Sequence, residues 1–369
     1  MANIRYALRA LFKMPYVTIF AIASIALGIG ANTAIFSIFE RVLLQELPVQ
    51  EPDRLVNLSS PGMRIGPQST TIAGAGDEIF SYPMFRDLER IQTVFTGIAA
   101  HHQFNANLAA RGITMDGRGL LVSGSYFPLL GVRPALGRLL GPQDDRAVGE
   151  SPVVVLSYCY WKGRFARDPG VLNQTMIVNG QPMTIVGVSE DGFDGTTFGS
   201  RPQIFIPITM RGFMEIGFKK IKGNAGLKGM DNRSDYWIYL FARLKPGIGI
   251  ERAQVSIHSQ YQAILTDIEV PLLRGLSEET IKQFRAKPLI LKPGARGQSQ
   301  SHSKETRDFL LLLLGLTAIV LIIACTNVAN LLIAGGTARS GEMAIRLSIV
   351  FRTVMPFSPA GKAAATRCG

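Results

Sequence analysis

The chain has 369 residues, a net charge of +12, 47% hydrophobic residues and three cysteines, which gives room for two or three folded units. That charge does not read as a nucleic-acid footprint, because the bases are scattered through the middle rather than gathered on one stripe. Cys159 is the only cysteine between residues 40 and 305, so a domain there has no internal disulfide and rests on its own core.

Ile4, Leu8, Leu11 and Phe12 recur at helical spacing over residues 1–13, with Arg5, Arg9 and Lys13 on an adjacent face. This pattern predicts a short cytoplasmic interfacial helix. Residues 14–39 then carry no charge and are long enough to cross a hydrocarbon core of ~30 Å as a helix. A cleaved secretory signal has an apolar run of about 7–15 residues and a small-residue cleavage site. Here the run is roughly twice that length and leads into Phe36, Ile38 and Phe39, which argues for an uncleaved anchor. Within it Ser24, Gly28 and Asn32 recur every four residues, a small-residue face suited to close helix packing.

Residues 40–305 read as an α+β domain. Helical periodicity covers 77–95, and alternating stretches follow over 99–122. A helical turn is expected at 125–130, a buried strand at 152–157 and a helix at 158–165. Strands at 174–178 and 183–188 flank Asn179–Gly180, the strongest hairpin signal in the chain. Further strands fall at 204–208 and 236–244, and helices at 251–268 and 277–285. Hairpins in mixed alternation argue against a doubly wound parallel sheet. Residues 61–76, 223–234 and 292–303 read as flexible, the last as a tether.

The second uncharged stretch, residues 309–338, completes a transmembrane segment assigned to 306–338. Its Leu, Ile, Val and Phe residues each favour insertion by about 0.3–0.6 kcal/mol. Together they outweigh Asn327 and Asn330, which need partners on other helices or a shallow place among headgroups. Arg339, Arg346, Arg352, Lys362 and Arg367 follow, opposed only by Glu342, whereas the loop after the first span mixes acids and bases. The positive-inside rule therefore places both termini in the cytoplasm and the middle outside. The expected class is a membrane protein in which two transmembrane helices flank an α+β external domain.

No catalytic constellation accompanies this layout. The phosphate-binding pattern Gly-x4-Gly-Lys-Ser/Thr, the zinc pattern His-Glu-x-x-His and the nucleophile elbow Gly-x-Ser-x-Gly do not occur. His101 and His102 are adjacent, so in a strand they point to opposite faces and cannot chelate as a pair. Asp144–Asp145 and Glu190–Asp191 read as solvated turn acids. Neither an enzyme activity, a metal nor a cofactor is expected.

Several segments in order resemble MacB-like ABC-transporter permeases. They include Glu51-Pro-Asp-Arg-Leu-Val56, Ser81-Tyr-Pro-Met-Phe-Arg-Asp-Leu88, Ser123-Gly-Ser-Tyr-Phe127 and Pro152-Val-Val-Val-Leu-Ser157. Ala242-Arg-Leu-Lys-Pro-Gly247 and Cys325-Thr-Asn-Val-Ala-Asn-Leu-Leu332 complete the series. The resemblance implies a periplasmic core domain over 40–305, the start of an FtsX-type membrane bundle, and placement in a bacterial inner membrane. It implies a separate ABC ATPase that docks on a coupling segment within 339–369, with Glu342 and Arg346 as contacts. It also implies a second permease copy or a homodimer. The family would continue into two more membrane helices, whereas this sequence runs through Pro356 and Pro359 into alanines, as a truncated or frameshifted product would. A membrane-tethered periplasmic scaffold or sensor without transport is the other reading.

Overall fold

The computed structural model describes residues 15–40, 45–214, 229–299 and 308–326, with Ala329, Asn330 and Ile333 beyond them. The helix expected over 1–13, the segment 339–369 and the residues Asn327, Glu342 and Arg346 lie outside the described residues. Contacts divide the chain into two units, one drawn from its two ends and one spanning 41–307. Helix α1 (Pro15–Phe39) opens the first unit. Its initial proline sits where a missing N–H costs least.

The larger unit is built on an eleven-stranded mixed sheet. In chain order its strands are β1 (Leu55–Ser59), β2 (Ile79–Phe80), β3 (Phe95–Ala110), β4 (Ile113–Val122), β5 (Pro134–Gly137) and β6 (Val153–Leu156). The remainder are β7 (Thr175–Val178), β8 (Gln181–Ser189), β9 (Ile204–Pro207), β10 (Ile238–Leu244) and β11 (Ile290–Pro293). They lie in the order β11-β1-β10-β3-β4-β9-β6-β8-β5, with β2 on β10 and β7 between β3 and β8. Only β4–β9 and β6–β8 run parallel. The sheet is thus α+β in kind, with the hairpins that the sequence signals.

Strand β10 shows how the core is organised. All seven of its residues are buried; alternate ones join one large apolar cluster, while Tyr239 and Phe241 between them join two smaller clusters. Ile238, Leu240, Ala242 and Leu244 face helices α2 (Tyr82–Ile91) and, later in the chain, Ile250–Ile264. Phe241 faces the short helix α3 (Tyr126–Leu130), whose Tyr126, Phe127 and Leu130 are buried against it. Period-two alternation in a strand covered on both sides produces this division. Helix α4 (Tyr158–Phe165), α5 (Ile250–Ile264) and α6 (Glu278–Arg285) complete the helical complement used below.

Four local expectations need correction. The helix foreseen over 77–95 is only α2, because Ser81 caps it through Met84 N at 3.3 Å while Ile79 and Phe80 pair with β10. The alternating stretches of 99–122 form one long hairpin, turned at Arg111 and Gly112 with φ of 51° and 76°. Such a primed turn suits the right-handed twist of its strands, yet Arg-Gly is a weak written signal for it. Asp144 and Asp145 are buried rather than solvated: Asp144 takes a two-bond contact from Arg138 at 2.7 and 2.8 Å, and Asp145 accepts from Gly124 N at 3.0 Å. Finally, residues 292–299 are not a loose tether, since β11 pairs with β1 and the following residues dock on the domain.

Helix α7 (Asp308–Thr326, 19 residues) belongs to the first unit, and its most apolar 18-residue window has a mean hydropathy of 2.9. It is long and apolar enough to cross a membrane, whereas the qualifying apolar stretch of α1 is the shorter Ile22–Ser37. Ile22, Leu27 and Phe36 on α1 and Leu312, Leu316 and Ile322 on α7 are exposed. Both helices thus turn large apolar side chains outward.

Candidate functional site

Two places carry the weight of a functional reading: the seam between α1 and α7, and the point where the chain enters and leaves the larger unit. On α1, Gly28 is buried, and a Cβ built there would lie 3.0 Å from Leu321 Cδ1 and 3.9 Å from the Ala324 Cβ. One turn later Asn32 Oδ1 lies 3.0 Å from the Thr317 hydroxyl, which also reaches Leu314 O at 2.9 Å. Position 28 meets 321 and 324 while position 32 meets 317, so the two helices run antiparallel. Glycine permits the close approach, and an amide–hydroxyl contact across apolar helices spares both groups an unpaired state in apolar surroundings.

Ser24 is half-buried one turn before Gly28, and Asn330 is exposed. Residues Thr317, Leu321 and Ala324 were not singled out from the sequence. Their signal was present in muted form, as the hydroxyl and the small residue that interrupt a Leu-rich run.

The entry and exit of the larger unit lie side by side. Leu47 N donates to Ala295 O at 2.8 Å, and Gly294 N donates to Leu55 O at 2.7 Å. Asn57 Nδ2 donates to Gly297 O at 2.9 Å. Gly297 has φ of 77°, and a Cβ there would fall 2.4 Å from Thr196 O, so this contact requires glycine. The next residue, Gln298, donates its N–H to Thr196 O at 2.8 Å and accepts from Phe198 N at 3.1 Å. Its buried carboxamide donates through Nε2 to Leu240 O at 2.9 Å, while Oε1 meets His101 Nε2.

His101 is fully buried, stacked on Tyr239 at 5.8 Å and edge-on to Tyr126 at 6.1 Å. Burial brings its pKa down to about 4, partly offset by the Gln298 hydrogen bond. The ring is therefore neutral at ordinary pH, and Nε2–H is the donor to Oε1. His102 points to the opposite face, edge-on to Trp237 at 5.5 Å, with its pKa brought to about 3 by burial and then by Arg211. The two rings thus sit in separate parts of the core, as strand alternation dictates.

A polar network underlies the other face of the sheet. Arg233 bridges Asp87 at 2.7 Å and Glu269 at 2.9 Å, joining α2 to the continuation of α5. Arg211 pairs with Asp235 at 2.7 Å, both nearly sealed from solvent, with the guanidinium 3.9 Å from the Trp237 ring centre. Among the described residues, no group of His, Cys, Asp and Glu is placed to hold a metal ion. These arrangements brace and couple; they do not form an acid–base or nucleophile pair.

Residues 18–260 match the family described as the MacB-like periplasmic core domain. No curated protein matches the chain. Among solved structures, the periplasmic region of MacB from Actinobacillus actinomycetemcomitans aligns at 15% identity over 57% of this chain and 84% of that one, with a TM-score of 0.41. A domain of a putative permease protein from Porphyromonas gingivalis aligns at 15% identity over 72% and 100%, with a TM-score of 0.45. The extracellular domain of the noncanonic ABC-type transporter YknZ from Gram-positive bacteria aligns at 13% identity over 56% and 92%, with a TM-score of 0.38. The family match begins within α1 and ends within α5, so it takes in most of the sheet but stops short of β11. The chain belongs to the MacB-like periplasmic core domain family of ABC-type transporter permeases.

Proposed function

We propose that this chain is a permease-type membrane subunit that couples ATP hydrolysis by a separate ABC ATPase to movement of its periplasmic domain, for export or efflux. On this reading α1 and α7 both span the bacterial inner membrane and hold the domain on the periplasmic side, with both termini in the cytoplasm. Glu342 and Arg346 contact the ATPase, and a second permease copy completes the assembly. The observation that carries the reading is the clamp between Leu47 and Ala295. The segments that lead from α1 and into α7 are hydrogen-bonded to each other, so relative movement of the helices is delivered to one point. From there Gln298 and Asn57 pass it to the central strands. Helices serve as levers because their backbone hydrogen bonds are satisfied internally.

Reconstitution of the chain with a candidate ABC ATPase in proteoliposomes tests this. The expected result is co-purification of the ATPase and a turnover that changes with the permease present, lost on Glu342→Ala with Arg346→Ala. Correct insertion without any ATPase association would instead favour the tethered scaffold or sensor.

A further inference from the structure

Strand β11 closes one end of the sheet order and pairs only with β1. Alternate residues of an edge strand turn their backbone groups away from its neighbour, and groups left open there invite another strand. Here side chains of α5 take them up. Leu291 N donates to Gln254 Oε1 at 2.6 Å, and Gln254 Nε2 donates to Leu289 O. Leu289 N donates to His258 Nδ1 at 3.2 Å, and Gln262 Nε2 donates to Lys287 O at 2.6 Å. Pro293, next in the same alternation, has no N–H to satisfy.

Gln254, His258 and Gln262 recur every four residues and so form one stripe along α5. The stripe runs antiparallel to the segment it covers, with 254 at 291, 258 at 289 and 262 at 287. The two spacings agree, because four helical residues rise ~6 Å and two strand residues ~6.7 Å. Helix α5 therefore stands in for a further strand.

The middle rung alone can titrate. To accept from Leu289 N, the His258 ring carries its proton on Nε2 and leaves Nδ1 bare. A second proton, on Nδ1, turns that acceptor into a donor facing a donor. The ring is half-buried and open to a proton from solvent, whereas Leu289 is fully buried and its N–H would be left unpaired.

Charged groups around α5 are engaged elsewhere. Among the described residues, Arg86, Asp87, Glu89 and Arg90 of α2 pair with one another or with Asp145 and Arg233. Glu269, which follows Asp267 in the continuation of α5, pairs with Arg233, and Lys292 of β11 pairs with Glu78. The Tyr261 hydroxyl is bonded to Ser60. None of these forms an ion pair with His258, nor do Lys287, Glu251 and Arg252 of α5, or Glu278, Glu279, Lys282 and Arg285 of α6. A proton on the ring thus acts through the hydrogen bond to Leu289.

We propose that α5 is a proton-released latch on the sheet edge. Protonation of His258 Nδ1 opens the rung to Leu289 and loosens β11, and with it residues 294–298, which hold the exit of the larger unit to Leu47, Asn57 and His101.

Hydrogen exchange of the full chain in detergent tests this, with residues 286–293 compared against β10 as an internal reference. Global loosening lowers protection in both, so the ratio of their protection factors isolates the latch. Between about pH 8 and about pH 5, where imidazoles titrate, that ratio should fall about fivefold in the parent, the effect of losing one ordinary hydrogen bond. His258→Asn puts a carbonyl oxygen near the place of Nδ1 that accepts at any pH, so its ratio should stay constant. His258→Leu offers no acceptor and should show the lowered ratio at both pH values. A parental ratio that does not change with pH would overturn the proposal, as would an equal fall in His258→Asn.

Discussion

His101 and Gln298 meet across 197 positions of sequence, ring nitrogen to carboxamide oxygen, in the buried centre of the larger unit. The same carboxamide donates to Leu240 O, so one side chain ties the departing chain to two central strands. Gln298→Leu preserves approximate volume but strands Leu240 O and the imidazole N–H. Each buried group left unpaired costs about 1–3 kcal/mol. The fluorescence-monitored melting temperature should fall by at least about 2–4 °C. An unchanged value would remove the clamp from the account.

Acid should loosen this domain, with a sign set by the two core histidines. Both are held neutral when folded, with pKa values of about 4 and about 3, while the unfolded chain takes up protons near the ordinary value of 6.5. Their contribution is complete above about pH 6.5 and is lost as pH falls toward 4. Asp145 acts in the opposite sense, because burial raises it to about 6, and its contribution declines as pH rises from about 4 to 6. Denaturant midpoints measured across this range should therefore drop more steeply in Asp145→Asn than in the parent. A shallower acid limb in that variant would contradict the assignment.

The seam between α1 and α7 can be tested by cross-linking. In a background with Cys159, Cys325 and Cys368 replaced by serine, Gly28→Cys and Ala324→Cys should oxidise to an intramolecular disulfide. The separation of 3.9 Å between the built Cβ of position 28 and the Ala324 Cβ lies within the range of ~3.5–4.5 Å that disulfides use. Leu27→Cys with Ala324→Cys is the control, since Leu27 is 74% exposed. Equal cross-linking of both pairs, read as a gel shift in intact membranes, would argue against the antiparallel seam.

The Arg211–Asp235 pair predicts a large single-site penalty. Asp235→Asn removes one carboxylate from a guanidinium buried over Trp237, a change expected to cost up to about 3–5 kcal/mol. Combined replacement with Arg211→Met and Asp235→Leu should recover much of that loss, because well-packed apolar residues can replace a buried ion pair. Chemical denaturation of the three proteins distinguishes the cases, and a single variant with parental stability would refute the pair's importance.

Local chemistry written in the chain settled a good deal. Uncharged stretches, an Asn179–Gly180 turn with φ of 48° and 80°, and the apolar run that became β10 are all short-range signals. They were enough to specify an α+β domain. Partnership was a different matter. Gln298 reads as part of a polar tether and Asp145 as a turn acid, because nothing within a few residues of them reveals His101 or Gly124. Hydrogen-bond partners separated by tens to hundreds of positions are chosen by the sheet order, and that order is a property of the packed whole. Propensity and periodicity act along the chain, whereas burial and charge compensation act across it, so only the folded molecule decides which polar groups are enclosed and what they must find there.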